Sequence, residues 1–347
     1  MKSLSTSTAL ELVQQHWHLS GAISELPSYA DRNFKIDTEQ ASYVFKVANP
    51  NWSYADLDIE NEALLHLAKT CPELALPKIF LSEDGRHIIP LTLTNDQGEK
   101  LACHMRLLSF VDGEVYAEAA QKANTDLQTL EYSLGLAIAK LDRGLSDFTH
   151  PAMHREVDWS ISMLPSLEDQ IAYVDDDEIR SLVTHHTAYF TQHEQAWKQQ
   201  LPLAIIHNDA NDYNVIVAPD PHQAGHYHVN AIIDFGDMCY HLRVVDLAIT
   251  IVYALQHAES LERVQECIAT ILEAYQTTHR LNAEELRILP ALIQARLSQS
   301  VLMATRAYRK NPENEYILIS QKGVRRLLRQ FAELGDDRLQ QLVLRFQ

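Results

Sequence analysis

The segment from residue 203 to residue 237 constrains the fold of this chain more than any other. It reads LAIIHNDANDYNVIVAPDPHQAGHYHVNAIIDFGD and contains three short apolar runs separated by polar residues. The first run ends shortly before Asp209, the second follows Asn214, and the third ends at Asp234. Short apolar runs bounded by turn residues predict strands. A hairpin between the second and third runs would bring Asn214 and Asp234 together.

The polar residues of this segment follow the pattern H-x-D-x-x-x-x-N, followed by D-F-G. Phosphoryl transfer needs a carboxylate to orient and deprotonate the attacking hydroxyl, and a divalent cation to neutralise the γ-phosphate. Asp209 at a strand end can reach a hydroxyl, while Asn214 and Asp234 offer the hard oxygen atoms that Mg²⁺ prefers. His207 is interpreted as a residue that shapes the loop. Turn formation explains each residue alone, but not the ordered set.

A phosphate-binding lysine is expected on a strand, with a glutamate partner on the following helix. Lys46 is the only basic residue in the predicted strand Ser42–Val47. The predicted helix Leu57–Thr70 offers Glu60 and Glu62, and Glu60 shares its face with three apolar residues three, four and seven positions on. We therefore predict that Glu60 pairs with Lys46, with Glu62 as the alternative. A solvated strand lysine is the competing interpretation of Lys46.

No G-x-G-x-x-G loop precedes this strand, and the segment Pro27–Phe34 stands in its place. Its backbone N–H groups, together with Ser28 or Arg32, could contact nucleotide phosphates. An ordinary turn explains the same residues equally well.

The first hundred residues predict an α+β arrangement and the remainder predicts a mainly helical one. The early segments read as helices are Ala9–His18 and Leu57–Thr70, and those read as strands are Asn33–Ile36, Ser42–Val47, Ala75–Leu81, His87–Leu93 and Leu101–Phe110. The later helices are Thr125–Asp142, Asp176–Gln200, Val245–Glu259, Leu261–Thr278, Ala283–Tyr308 and Ser320–Leu334. We predict a nucleotide-binding domain at residues 1–110 and a catalytic, substrate-binding domain at 111–347.

Composition narrows the class of protein. The net charge of −18 disfavours nucleic acid as a partner, since a phosphate backbone needs Lys and Arg surfaces. The same charge is compatible with a cationic substrate, or simply with solubility. The four cysteines form no Cys-x-x-Cys pair, which predicts reduced thiols. Since neither a membrane-length apolar run nor a signal peptide is recognisable, we expect a cytoplasmic protein that does not contact a membrane.

Two further features favour a small-molecule substrate over a peptide. Asn208 occupies the position between the histidine and the aspartate where protein kinases carry arginine. The D-F-G sequence is followed almost at once by a predicted helix near Arg243, without an A-P-E element. The intervening segment is too short for an activation loop that docks a peptide.

At these residues the chain resembles the aminoglycoside-phosphotransferase and choline-kinase superfamily, and within it the hydroxylysine kinases and related bacterial phosphotransferases. The stretches that carry the resemblance include YVFKVANP, IIHNDANDYNVIV and IIDFGDM followed by VVDLAI. The resemblance implies a bilobal protein-kinase-like fold, with a small β-rich N-lobe and a larger, mainly helical C-lobe. It also implies ATP or GTP as co-substrate and Mg²⁺ as cofactor.

The resemblance further implies roles for individual residues. Asp209 would be the catalytic base, Asn214 and Asp234 the metal ligands, and Lys46 the phosphate-binding residue. The nucleotide base would bond a hinge that contains Ser109 and Phe110, and Asp246 would support the catalytic loop unless it is only a helix N-terminal carboxylate.

The predicted reaction transfers a γ-phosphate to a hydroxyl of a hydroxylated amine or amino acid. Candidate carboxylates for the ammonium group are Asp212, Asp237 and Glu315, and candidate arginines for a substrate carboxylate are Arg296 and Arg306. Each of them could instead be a surface, capping or ion-pairing residue. Two other functions remain open: a nucleotide-binding pseudokinase that acts as an interaction module, and an aminoglycoside-modifying phosphotransferase.

Overall fold

The computed structural model describes residues 4–28, 31–94, 97–313 and 321–347. The chain divides into two compact units. Unit 1 comprises Met1–Asp112 and Thr149–Met153, and unit 2 comprises Gly113–Phe148 and His154–Gln347. Unit 1 is rich in strands and unit 2 is mainly helical, which confirms the α+β class.

Unit 1 contains a six-stranded antiparallel sheet. Its strands are β1 (Ala22–Leu26), β2 (Arg32–Asp37), β3 (Ser42–Val47), β4 (Ile79–Phe80), β5 (Ile89–Thr94) and β6 (Lys100–Ser109). The order is β1-β2-β3-β6, and both β4 and β5 pair with the other edge of β6. The predicted strand Ala75–Leu81 is wrong except at Ile79 and Phe80. Pro77 explains the loss, because proline cannot donate a hydrogen bond to a ladder.

Two helices complete unit 1: α1 (Thr6–Trp17) and α2 (Tyr54–Thr70). Helix α1 buries one residue per turn, at Ala9, Val13 and Trp17, in the core beneath the sheet. Helix α2 begins with a capping box, in which the side chains of Ser53 and Asp56 satisfy each other's backbone N–H groups.

Unit 2 is built around eight helices among the residues that the structure describes. They are α3 (Tyr116–Ala120), α4 (Leu127–Leu145), α5 (Asp177–Gln200), α6 (Val244–Ala254), α7 (Leu261–Thr278), α8 (Ala283–Lys310), α9 (Gln321–Leu334) and α10 (Asp336–Leu344). Helices α4 and α7 approach closely at Gly135, where a Cβ atom would lie 2.4 Å from the carbonyl oxygen of Ile271. Helix α6 is buried nearly all round, as its hydrophobic sequence predicts. Within the described ranges, no helix is both long and apolar enough to cross a membrane.

The described strands of unit 2 form two small sheets. These strands are β7 (Glu114–Val115), β8 (Leu203–Ile206), β9 (Val215–Pro219), β10 (Tyr227–Ile232) and β11 (Cys239–Leu242). Strands β9 and β10 form an antiparallel hairpin with β7 on the far edge of β9, and β8 pairs with β11. The sequence predicted β8, β9 and β10 but missed the very short strands β7 and β11. It also missed a 3₁₀ segment, Ile161–Tyr173, which contains Pro165.

Candidate active site

Asp246 in the first turn of α6 anchors the loop that leads to Asp209. Its two carboxylate oxygens accept hydrogen bonds from the backbone N–H groups of His207 and Asn208, at 2.7 and 2.6 Å. Asp246 is completely buried. A buried carboxylate that binds two consecutive amides fixes their direction and hence the path of the chain into Asp209.

The side chain of Asp142, on α4, interacts with that of Asp246. Burial and the negative charge of Asp246 raise the pKa of Asp142 well above its usual range. The hydroxyl of Tyr275 donates a 2.6 Å hydrogen bond to Asp142. The raised pKa favours the protonated form of Asp142, next to the carboxylate that binds the loop amides.

His207 supports the loop from inside. Its Nδ1 accepts a 3.2 Å hydrogen bond from the backbone N–H of Asp209, so the ring hydrogen lies on Nε2, 3.1 Å from the carbonyl oxygen of Ile233. The ring also packs edge-on against Phe235, with centroids 4.6 Å apart. Because both ring nitrogens contact the backbone, His207 shapes this loop.

The two oxygen atoms of the Asp209 carboxylate have different surroundings. Oδ2 accepts hydrogen bonds from the amide nitrogens of Asn211 and Asn214, at 3.0 and 2.7 Å. Oδ1 lies 3.7 Å from the guanidinium of Arg296, too far for a hydrogen bond. Burial raises the pKa of Asp209 to about 7; the Arg296 guanidinium opposes this rise, and the charge of Asp237 adds to it.

Asn211 was not singled out in the sequence. Its Oδ1 accepts hydrogen bonds from the backbone N–H groups of Tyr213 and Asn214, at 2.8 and 3.1 Å. The side chain therefore closes an Asx turn while its amide holds Asp209. An asparagine two residues after the predicted base was the signal that could have revealed it.

The β9–β10 hairpin brings Asn214 and Asp234 to one end, which confirms the predicted hairpin. Val215 pairs with Ile232, and the backbone N–H of Ile233 donates to the carbonyl oxygen of Asn214 at 2.9 Å. The Asn214 amide nitrogen donates to the backbone and side chain of Asp209, at 2.9 and 2.7 Å. Its Oδ1 is consequently left for another partner.

The backbone at Asp234 is in an uncommon conformation. Asp234 has φ 63° and Asn208 has φ 66°, and among the described residues His18 is the only other non-glycine residue with positive φ. Such conformations cost about 1–3 kcal/mol each and persist where the surroundings enforce them.

Arg155 supplies part of that enforcement. Its guanidinium donates to the carbonyl oxygens of Gly236 and Met238, at 2.6 and 2.8 Å. Asn208 adds a 3.1 Å hydrogen bond from its side chain to the carbonyl oxygen of Asp237. The turn that carries Asp234 is therefore held from two sides.

The oxygen atoms at this end of the hairpin suit Mg²⁺. No three His, Cys, Asp or Glu side chains of the described residues lie close enough to hold a metal ion. Mg²⁺, however, is usually bound by one or two protein oxygens, with water and substrate phosphates completing an octahedron. Asn214 and Asp234 offer such oxygens. The charges of Asp234 and Asp237 both raise the pKa of Asp209, so these carboxylates lie close enough to one another for a divalent cation bound here to act on all of them.

In unit 1, Glu60 on α2 points inward and Glu62 is exposed, as the helical pattern indicated. Glu60 accepts a 2.7 Å hydrogen bond from Arg106 on β6. Arg106 also donates to Asn61 and to the carbonyl oxygen of Leu57. The sequence analysis missed Arg106, although a charged residue inside the apolar run of β6 signals a buried ion pair. The pairing of Glu60 with Lys46 stays a prediction.

Lys46 belongs to the same charged group as Arg106. The two residues are opposite each other in the register of β3 and β6. Burial raises the pKa of Asp31, and the Lys46 ammonium is the strongest charge that opposes this rise. Glu60 and Arg106 also act on the Asp31 carboxyl. The four side chains therefore form one cluster with two positive and two acidic groups.

Other predicted nucleotide contacts are placed less favourably. Ser28 is exposed, next to residues 29–30, which the structure does not describe. Arg32 donates to Glu25 at 2.6 Å and to the carbonyl oxygen of Leu4. The backbone N–H of Ser109 donates a hydrogen bond to the carbonyl oxygen of Lys78, and that of Phe110 donates to the carbonyl oxygen of Ser42. A nucleotide base at this segment would therefore have to use other groups, such as carbonyl oxygens.

The candidate acceptor-binding residues differ in their surroundings. Asp212 lies 3.5 Å from Nε2 of His257, and Arg306 contacts the sulfur of Met303 at 3.1 Å. Arg296 is fully buried beside Asp209. Glu315 lies outside the described residues.

Comparison with known proteins places this geometry in a family. Residues 22–286 match the model of the phosphotransferase enzyme family, APH. Hydroxylysine kinase of Mus musculus is 28% identical over 92% of this chain and 87% of the relative, and that of Danio rerio is 28% identical over 97% and 94%.

Solved structures show the same fold. A microcompartment-associated aminopropanol kinase has a TM-score of 0.72 at 16% identity, covering 96% of this chain and 99% of its own. An amicoumacin kinase in complex with AMP-PNP and Ca²⁺ has a TM-score of 0.67 at 16% identity, covering 92% of both chains. The kinase-like fold expected from the sequence is confirmed. The chain belongs to the APH phosphotransferase family and is a small-molecule phosphotransferase that acts on hydroxyl groups with a nucleotide co-substrate.

Proposed function

We propose that this protein transfers the γ-phosphate of ATP or GTP to a hydroxyl of a hydroxylated amine or amino acid similar to hydroxylysine. The observation that carries the proposal is the Asp209 carboxylate. Two amides hold its Oδ2, at 3.0 and 2.7 Å, so that Oδ1 is left for an acceptor hydroxyl. This arrangement orients a carboxylate as general base in phosphoryl transfer.

In this proposal Asp209 orients the acceptor hydroxyl and takes its proton as the oxygen attacks the γ-phosphorus. The bond from the γ-phosphorus to the bridging oxygen breaks, and the nucleoside diphosphate leaves. Asn214 and Asp234 would hold Mg²⁺, which would supply neutralisation of phosphate charge. Asp246 and His207 keep the loop in place throughout, because both bind its backbone.

Lys46 is the proposed contact of the α- and β-phosphates. Its position within the cluster of Asp31, Glu60 and Arg106 supports this role, since neighbouring carboxylates can hold an ammonium group in one orientation. Ser28 and Arg32 are weaker candidates, because Arg32 already binds Glu25. The base preference, ATP or GTP, is left to experiment.

The proposed acceptor carries an ammonium group. The carboxylates of Asp234 and Asp237 and the guanidinium of Arg296 all act on Asp209. Asp237, and Asp212, which also pairs with His257, are the proposed carboxylates for a cationic acceptor. The names of the relatives, hydroxylysine kinase and aminopropanol kinase, point to the same class of acceptor.

A nucleotide-consumption screen tests the proposal. Hydroxylysine, 1-amino-2-propanol, an aminoglycoside and neutral sugars are compared as acceptors, with ATP and GTP in parallel. We expect the highest kcat/KM with an acceptor that carries both a hydroxyl and an ammonium group, and a loss with its deaminated analogue, because a partly buried carboxylate would lose its charged partner. Equal values for the two, or faster turnover of neutral sugars, would refute the acceptor class.

A further inference from the structure

Arg296 of α8 is immobilised beside the active site. Its Nη1 donates to the carbonyl oxygen of Trp159 at 2.6 Å and to Oε1 of Gln299 at 3.0 Å. The guanidinium carbon lies 5.0 Å from the centre of the Trp159 ring and 5.8 Å from that of Tyr253. Gln299 is itself fixed by a 2.8 Å hydrogen bond to the carbonyl oxygen of Ser160. The guanidinium therefore has little freedom to move.

The other amino group of this guanidinium, Nη2, donates a long hydrogen bond of 3.5 Å to the hydroxyl of Tyr253 and also lies near Asp209. Nη2 lies 3.7 Å from Oδ1, the carboxylate oxygen that neither Asn211 nor Asn214 binds. We infer that Arg296 is a positioning residue, whose fixed charge attracts Oδ1 and completes the orientation in which Asp209 meets the acceptor hydroxyl. This inference rests on the proposed role of Asp209 as base.

Two other roles for Arg296 fit the structure less well. A substrate carboxylate would need access to the guanidinium, but the side chain is only 1% exposed. A purely structural ion pair would place a carboxylate within hydrogen-bond distance. Arg296 instead satisfies its Nη1 with neutral acceptors and keeps its carboxylate neighbour at a longer distance.

The test compares Arg296→Met and Arg296→Lys with the wild type, using 5-hydroxy-L-lysine with ATP and GTP in parallel. A misplaced reacting group costs about 10²-fold, so Arg296→Met should lower kcat by about that factor and leave both KM values nearly unchanged. Lysine should restore part of the loss. Arg263→Met is the matched control: Arg263 pairs with the buried Glu131 in another part of unit 2. It should lower the melting temperature without changing kcat per folded molecule.

Two further measurements separate positioning from other roles. Ethylguanidinium should raise the kcat of Arg296→Ala and should not raise that of Arg263→Ala. If Arg296 acts through Asp209, adding Arg296→Met to Asp209→Asn should cause little further loss of kcat, and their separate changes in melting temperature should not add. The melting temperatures can be measured without an acceptor, so this part of the test does not depend on the identity of the substrate.

Wild-type kcat in a folded Arg296→Met, a loss confined to the KM of the acceptor, or additive effects on kcat and melting temperature would each overturn the inference. The proposed function fails in a different way. If Asp209→Asn keeps wild-type turnover, the base assignment is wrong, whereas an inactive Asp209→Asn beside a fully active Arg296→Met rejects only the role of Arg296.

Discussion

Each unit of the molecule contains one large, fully buried arginine: Arg106 in unit 1 and Arg296 in unit 2. Arg106 binds a carboxylate directly, with 2.7 Å between its Nη2 and Glu60. Arg296 binds neutral oxygens directly, and its carboxylate neighbour Asp209 is 3.7 Å away. The positive charge of Arg106 is thus neutralised by its own ion pair, while that of Arg296 acts on Asp209, the proposed catalytic base.

The charged groups that surround the two arginines also differ. In unit 1, Lys46 and Arg106 face Asp31 and Glu60, so positive and acidic groups are equal in number. In unit 2, Asp234, Asp237 and Arg296 act on Asp209, and Arg155 binds the turn that carries Asp234. The first cluster contains a direct ion pair between Arg106 and Glu60. In the second, Asp234 is a proposed ligand of an added cation.

The largest effect should follow from removing a carboxylate of the unit 2 cluster. We predict that Asp234→Ala weakens Mg²⁺-dependent nucleotide binding by more than the roughly 10- to 100-fold that loss of an outer-shell partner costs. Calorimetry with Mg²⁺ and a non-hydrolysable nucleotide measures it. Asp220→Ala, in the turn at the far end of the same hairpin, is the control and should bind normally. If Asp234→Ala and the wild type bind Mg²⁺-nucleotide with equal affinity, Asp234 is not a metal ligand, and the unit 2 cluster does not differ from the unit 1 cluster in this respect.

Breaking the buried ion pair of unit 1 should mainly reduce stability. Removing one partner of such a pair typically costs about 3–5 kcal/mol, because the other charge stays buried without a counter-ion. We expect a decrease of this order in the free energy of unfolding for Arg106→Met, measured by denaturant titration. Glu60→Gln, which keeps an oxygen acceptor, should cost less than Glu60→Ala. If Arg106→Met leaves the free energy of unfolding nearly unchanged, the ion pair of Arg106 does not stabilise unit 1, and the contrast with Arg296 is lost.

Acid should destabilise unit 2 through His186. Burial lowers the pKa of His186 from its ordinary value of 6.5 to about 4. Between these values the unfolded chain binds a proton that the folded protein does not, so stability falls as pH decreases from 6.5 to 4. At 1.36 kcal/mol per pH unit the total is about 3 kcal/mol.

His186→Leu should flatten the dependence of the unfolding free energy on pH over this range. His222→Leu, at an exposed position in the turn between β9 and β10, is the control and should leave the slope unchanged. Identical slopes in the wild type and His186→Leu would rule out this source of acid sensitivity.

The smallest expected effect is on the proposed phosphate contact of unit 1. A hydrogen bond between Lys46 and a phosphate is worth about 1.5–3 kcal/mol, because it is charge-assisted. Lys46→Met should therefore raise the KM for the nucleotide by about 10- to 100-fold. Lys100→Met, at the exposed start of β6, should leave this KM unchanged. If both variants behave alike, Lys46 is only a strand lysine.

The elements with strong local signals could be predicted from the sequence. Helices α5, α7 and α8 have regular apolar periodicity, and the strands β8, β9 and β10 are apolar runs with clear polar ends. The missed elements include β1, α3 and α10 as well as two short strands of unit 2 that depend on tertiary pairing. Strands β7 and β11 are two and four residues long, and they exist because β9 and β8 offer an edge.

The candidate site divides in the same way. Asp209, Asn214 and Asp234 follow a fixed spacing, so the sequence locates them without knowledge of the packing. Arg106 and Arg296 lie far along the chain from the residues that they contact. Only the register of β3 and β6 brings Arg106 opposite Lys46, and only the packing of α8 places Arg296 beside Asp209. No local pattern encodes such contacts.

The most direct test of the account is the turnover of Asp209→Asn. Asparagine keeps the size and most hydrogen bonds of the side chain but cannot take the proton of the acceptor hydroxyl. We predict that the variant binds Mg²⁺-nucleotide as the wild type does and loses about 10²- to 10⁴-fold in kcat, the usual contribution of a general base. The measurement is kcat for phosphate transfer to 5-hydroxy-L-lysine, with nucleotide affinity from calorimetry on the same sample. Wild-type kcat in the folded variant would contradict the central claim that Asp209 is the base.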